Sequence, residues 1–99
     1  MTILAIFKGR MTKEQYDSLR QTVNWEHNQP EGGTFHAASF DSEGNIHVAD
    51  VWGSERTMND FVENRLIPAL ANLNIDPPTV STYPIHKIDA YSSIEKYKI

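Results

Sequence analysis

Apolar and polar positions along this chain switch between a period of two and a period near 3.6, and the switches mark six elements. Thr2 to Lys8 (TILAIFK) is a continuous, mainly apolar run closed by Gly9. A run that short and unbroken predicts a central strand buried on both faces. Thr12 then offers an N-cap, Gln15 completes a capping box, and Met11 stands where it can pack on Tyr16. Tyr16, Leu19 and Val23 fall at helical spacing, so a first helix is predicted from about Lys13 to Val23. Asn24 to Gly33 carries Asn, Pro and a Gly-Gly pair and reads as a loop. Thr34–Phe40 and Ile46–Trp52 are strand-like runs on either side of the turn cluster Asp41-Ser42-Glu43-Gly44-Asn45, a hairpin signal.

Ser54 caps the next helix, and Glu55 favours its positive end. Met58, Phe61, Val62, Leu66, Ala69, Leu70 and Leu73 share one helical face, and Pro68 is predicted to end or kink that helix near Leu66–Ile67. After a Pro-Pro stop, Thr79 to Ile88 reads as a last strand, with Pro84 marking an edge or a bulge. The pattern therefore predicts one domain over residues 1–88 and a polar tail over 89–99. Its order, strand-helix-strand-strand-helix-strand, is that of an α+β, ferredoxin-like βαββαβ unit: an antiparallel sheet with two helices on one face. The other face stays bare unless something covers it.

Register sharpens the picture. If Ser42-Glu43-Gly44 form a three-residue turn, Phe40 faces Ile46, Ala38 faces Val48, His36 faces Asp50 and Thr34 faces Trp52, all on one side. The other side holds Phe35, Ala37 and Ser39 against His47, Ala49 and Val51, with His47 placed near the open end of the hairpin. That second set is mostly small and apolar, which suggests a helix-covered face. The first set, too apolar to be left in water, would then be the bare face awaiting a second sheet. It carries a His opposite a carboxylate, beside a Trp. Such a pair in a partly dry cavity is a candidate general base, the carboxylate fixing the ring's tautomer. The plainer alternative is a structural cross-strand pair whose members satisfy each other.

Composition narrows the chemistry. The 99 residues suit a single domain, and the net charge of −4 offers nucleic acid no attractive surface. With no cysteine, there is no disulfide, zinc–thiolate site, iron–sulfur cluster or cysteine nucleophile. No apolar stretch approaches the roughly 20 residues of a membrane span, and the expectation is a cytoplasmic protein without membrane or nucleic-acid partners. His residues lack metal spacing, Gly32-Gly33 is not a phosphate loop, and no Ser sits in a nucleophile elbow. His86 could reach the cavity from the last strand, although a surface or rim position on an edge strand suits it better. His27 reads as solvated, and Trp25 as an anchor for the first helix.

The run Pro30-Glu31-Gly32-Gly33-Thr34-Phe35-His36, followed by Asp50-Val51-Trp52-Gly53-Ser54-Glu55, Phe61 and Arg65-Leu66-Ile67-Pro68-Ala69-Leu70, resembles small proteins of the dimeric α/β barrel superfamily near the antibiotic biosynthesis monooxygenases. The resemblance runs from Met1 to about Lys87. It implies a homodimer, with Trp52 lining a cavity as the junction Trp does in those enzymes. The related haem-degrading enzymes use an Asn in strand one and a His in helix two; this chain has neither, which argues against haem breakdown. The implied activity is that of a cofactor-free monooxygenase-like enzyme acting on an apolar aromatic or polyketide-like substrate in the barrel. His36 would be the base, Asp50 its orienting partner, and Trp52, Thr34, Val48, Phe40 and His86 the binding residues. A non-catalytic barrel binding a small hydrophobic ligand, and an isomerase or cyclase on the same fold, are the alternatives.

Overall fold

The computed structural model describes residues 1–99. Four strands, β1 (Ile3–Arg10), β2 (Gly33–Phe40), β3 (Asn45–Trp52) and β4 (Thr79–Pro84), form one antiparallel sheet in the order β2-β3-β1-β4. Helix α1 (Lys13–Val23) links β1 to β2, and α2 (Glu55–Phe61) opens the connection from β3 to β4. This is the expected βαββαβ arrangement. The Thr12 capping box forms in full: Gln15 N–H donates to the Thr12 hydroxyl at 3.0 Å, and Thr12 N–H donates to the Gln15 side chain at 2.9 Å. Ser54 caps α2 through the N–H of Thr57.

Pro68 does not end the helix. Having no N–H, it cannot bond back to Asn64, and the chain widens into a π turn over Val62–Leu66, where Ile67 N–H reaches Val62 C=O. Helix α3 (Ile67–Asn72) then continues, so Met58, Phe61, Ala69 and Leu70 all bury toward the sheet. The last strand is shorter than its apolar pattern predicted: pairing with β1 stops at Pro84, opposite Ile3, near the start of β1. Beyond it the tail runs to a 3₁₀ turn at Ser92–Tyr97.

The hairpin register is as expected, with Phe40 opposite Ile46, Ala38 opposite Val48 and His36 opposite Asp50. One pair differs. A bulge between Gly33 and Phe35 puts Gly33, not Thr34, opposite Trp52, and Thr34 is left exposed.

The assignment of faces is the larger correction. The side carrying His36, Asp50, Val48, Ile46 and Trp52 lies under the helices, not away from them. Ile3, Ala5 and Phe7 of β1 join it, and Leu19, Phe61 and Leu70 close over it. The open face carries the row Phe35–Val51–Leu4–Tyr83 and the row Ala37–Ala49–Ile6–Ser81. Alternation tells which residues share a face, but not which face the helices occupy when both are apolar. Here the bulkier set meets the helices, and its Trp and Phe side chains fill the space between layers. The small residues leave a flat surface. His47 lies on the open face beside the turn, not at the open end of the hairpin, and its Nε2 is 2.7 Å from Asp41. That partner, with the N–H groups of Asn45 and Glu43, holds the Asp41 carboxyl well below its ordinary pKa.

Two long-range ties place the loop between α1 and β2. Arg65 of the π turn donates to the carbonyls of Val23 and Asn28, satisfying the end of α1. Gly32, at φ +80, accepts from Gly53 N–H at 2.7 Å. A Cβ on Gly32 would strike the Thr57 side chain as well as oppose that backbone angle. Gly32→Ala should therefore cost at least about 1–3 kcal/mol in a urea melt; an unchanged midpoint would contradict this.

Candidate active site

His36 stands on β2 in the helix-covered face, directly opposite Asp50 of β3. Its Nδ1 is 2.5 Å from Asp50 Oδ1. Asp50 is 5 % exposed, and its second oxygen accepts from Trp52 Nε1–H at 3.3 Å. A carboxylate only accepts, so Nδ1 carries the proton in this bond, and in the neutral ring Nε2 presents its lone pair. Nε2 in turn lies 2.6 Å from the hydroxyl of Tyr16, one turn into α1. Arg20, one turn further, donates to the same hydroxyl at 3.1 Å and to Glu26 at 3.3 Å. A continuous polar chain thus runs from the core at Trp52 to the surface at Glu26. Burial raises the Tyr16 pKa, with Arg20 pulling the other way, so the phenol is neutral at ordinary pH. The Arg20 pKa rises although burial opposes its charge, because Tyr16 and Glu26 accept from it.

Two spaces meet at His36. The inner one, about 70 Å³, lies between sheet and helices and is walled mainly by apolar side chains such as Phe7, Val48, Phe61 and Leu70. The outer one is a cleft of about 610 Å³ bordered by Thr34, Phe35, Trp52 and the tail residues Ile94, Tyr97 and Ile99. Tyr16, Arg20, Trp25 and His36 border both.

Of the residues singled out from sequence, His36, Asp50 and Val48 converge on the inner cavity, and Thr34, Trp52 and His36 on the cleft. Phe40 packs edge-on against Tyr16, with centroids 5.8 Å apart. His86 is exposed beyond β4 and borders neither space. Sequence reasoning missed Tyr16 and Arg20, and took Trp25 for a helix anchor. The Trp25 ring instead lies 4.6 Å from the His36 ring and meets Phe61 edge-on at 5.4 Å. The available signal was the i,i+4 spacing of Tyr16 and Arg20 on a helix bound to cover the hairpin.

No family model matches the sequence, and no curated protein does either. Solved structures do match. A protein assigned to the antibiotic biosynthesis monooxygenases from Chloroflexus aurantiacus is 18% identical with a TM-score of 0.62, over 90% of this chain and 98% of that one. A protein of unknown function from Nitrosomonas europaea is 17% identical with a TM-score of 0.66, over 93% of this chain and 97% of that one. A point variant of SnoaB, a cofactor-independent oxygenase from Streptomyces nogalater, is 13% identical with a TM-score of 0.58, over 88% and 93%. At such identities the likeness establishes the fold. No helix is long and apolar enough to cross a membrane.

Proposed function

We propose that this chain is a small-molecule enzyme of cofactor-free oxygenase type, acting on an apolar aromatic phenol or enol. The observation that carries this reading is the buried His36–Asp50 pair where an apolar cavity and a solvent-reaching cleft meet. His36 would take the substrate's proton, and Asp50 would hold the ring and stabilise the imidazolium. The resulting anion is electron-rich and can react directly with dioxygen, a route that calls on neither metal nor flavin. SnoaB, a cofactor-independent oxygenase, shares the fold. The cleft falls in the size range of small-molecule sites, roughly 300–1,000 Å³. The inner cavity, about 70 Å³, falls well below that range, so the ring system would sit in the cleft with Trp52 and Trp25 as walls. The proposed site thus lies beneath the helices rather than between two sheets.

A second reading is a binding barrel in which His36 and Asp50 only satisfy each other; every buried side-chain polar atom has a partner, as that reading requires. The same base could also serve an isomerase or cyclase. A panel of phenols and quinols screened for oxygen uptake tests the proposal. Uptake with at least one member is expected. Ligands that quench Trp fluorescence yet are never converted would favour the binding reading.

The open face supports a homodimer, with residues 1–88 as the barrel half. Phe35 is 44 % and Tyr83 54 % exposed there, beside Leu4, Ile6 and Ala49. Covering such a face with its own copy explains its flatness. Ile6→Asp should weaken dimerisation by about 100-fold or more, since it places an unpaired charge between sheets. Sedimentation at micromolar concentration checks this, and a wild-type monomer would contradict it.

A further inference from the structure

We infer that Tyr16 is a catalytic residue of this site: its hydroxyl is the atom through which His36 takes a proton from a phenolic or enolic ligand in the cleft. The inference rests on the base reading proposed above. Nδ1 of His36 is committed to Asp50, so Nε2 holds the basic lone pair. That lone pair is already occupied by Tyr16 Oη, 2.6 Å away. A ligand proton must therefore displace Tyr16 or pass through it.

Displacement is opposed on several sides. Arg20 donates to the Tyr16 hydroxyl at 3.1 Å, its guanidinium stands 5.7 Å from the ring centre, and Glu26 holds Arg20 in turn. Phe40 meets the Tyr16 ring edge-on, and the His36 ring lies nearly parallel to it at 6.1 Å. Passage is open, because Tyr16 borders the cleft as well as the inner cavity. Its oxygen donates one proton to His36 and accepts from Arg20, which leaves it able to accept from a ligand O–H.

The step balances without any oxidant. The ligand O–H bond breaks and its proton moves to Tyr16 Oη, while the original Tyr16 proton moves to Nε2. Tyr16 ends as a phenol, His36 as an imidazolium beside the Asp50 carboxylate, and the ligand as an oxyanion facing Arg20. Burial works against a free tyrosinate, so the two transfers move together.

The probe is 4-nitrophenol, whose phenolate absorbs visibly, added to the intact chain below the free probe's titration midpoint. Binding is followed by Trp quenching and ionisation by absorbance. Wild type is expected to ionise the bound probe. Tyr16→Phe keeps the ring and should still bind, but with ionisation down about 10-fold or more, as in His36→Ala. Arg20→Gln, altering a partly exposed side chain, should show a smaller, several-fold loss through poorer positioning of Tyr16. Full ionisation by Tyr16→Phe or by Arg20→Gln, with none by His36→Ala, would overturn the relay and leave the direct base standing. Full ionisation by His36→Ala, or none by wild type, would overturn the base reading and the relay together.

Discussion

His36→Ala should lose turnover on a phenolic substrate by roughly 10²–10⁴-fold while remaining folded. The substitution removes the only group in the site that combines a basic lone pair with a buried carboxylate partner. It leaves Trp52 bonded to Asp50 and Tyr16 bonded to Arg20. Asp50 loses one partner, which costs about 1–3 kcal/mol, a fraction of the 5–15 kcal/mol typical of a domain. Asp50→Asn should lose less turnover, since an amide oxygen still accepts from Nδ1–H. If the pair is only structural, both variants lower the melting temperature and nothing else. A melt and an activity assay on the same two proteins separate the outcomes.

Trp52→Ala should cost about 3–5 kcal/mol, the largest stability loss expected of any single truncation here. Trp52 is 1 % exposed and sits within the cross-strand row Gly33–Trp52–Ile3–Pro84. Its ring lies 5.5 Å from Phe61, and its indole N–H is one of the two hydrogen-bond donors to Asp50. Truncation would open a cavity where sheet and α2 meet and would loosen the carboxylate that orients His36. Urea denaturation gives the number, and Trp52→Phe, which keeps most of the packing, should lose substantially less. A loss below about 1 kcal/mol for Trp52→Ala would show that the interior collapses around the gap.

Much of this molecule could be read from local chemistry. The Thr12–Gln15 capping box, the three-residue turn and the resulting His36–Asp50 pairing depend on neighbours in sequence or on one hairpin. The choice of helix-covered face does not. It depends on how Leu19, Phe61 and Leu70 pack across long separations, and two apolar sheet faces gave no local sign of it. The bulge that moves Thr34 out of register arises where Gly32 ties β2 to Gly53, a contact between distant loops. Tyr16 and Arg20 were hidden for the same reason: only the docking of α1 brings a helix hydroxyl to a strand imidazole. Pro68 was visible as a helix disruptor, but whether the chain breaks or widens by one residue depends on Phe61 and Leu70 both needing the same core.

The imidazole nitrogen spectrum of His36, recorded by NMR as a phenol is titrated into the wild-type protein, tests the proposed base most directly. The proton that Nδ1 shares with Asp50 should persist, and Nε2 should gain a proton in proportion to the phenol bound, while His27, His47 and His86 stay unchanged. Phenol that binds the cleft while the His36 nitrogens keep their ligand-free signals would contradict a role for this pair in proton abstraction.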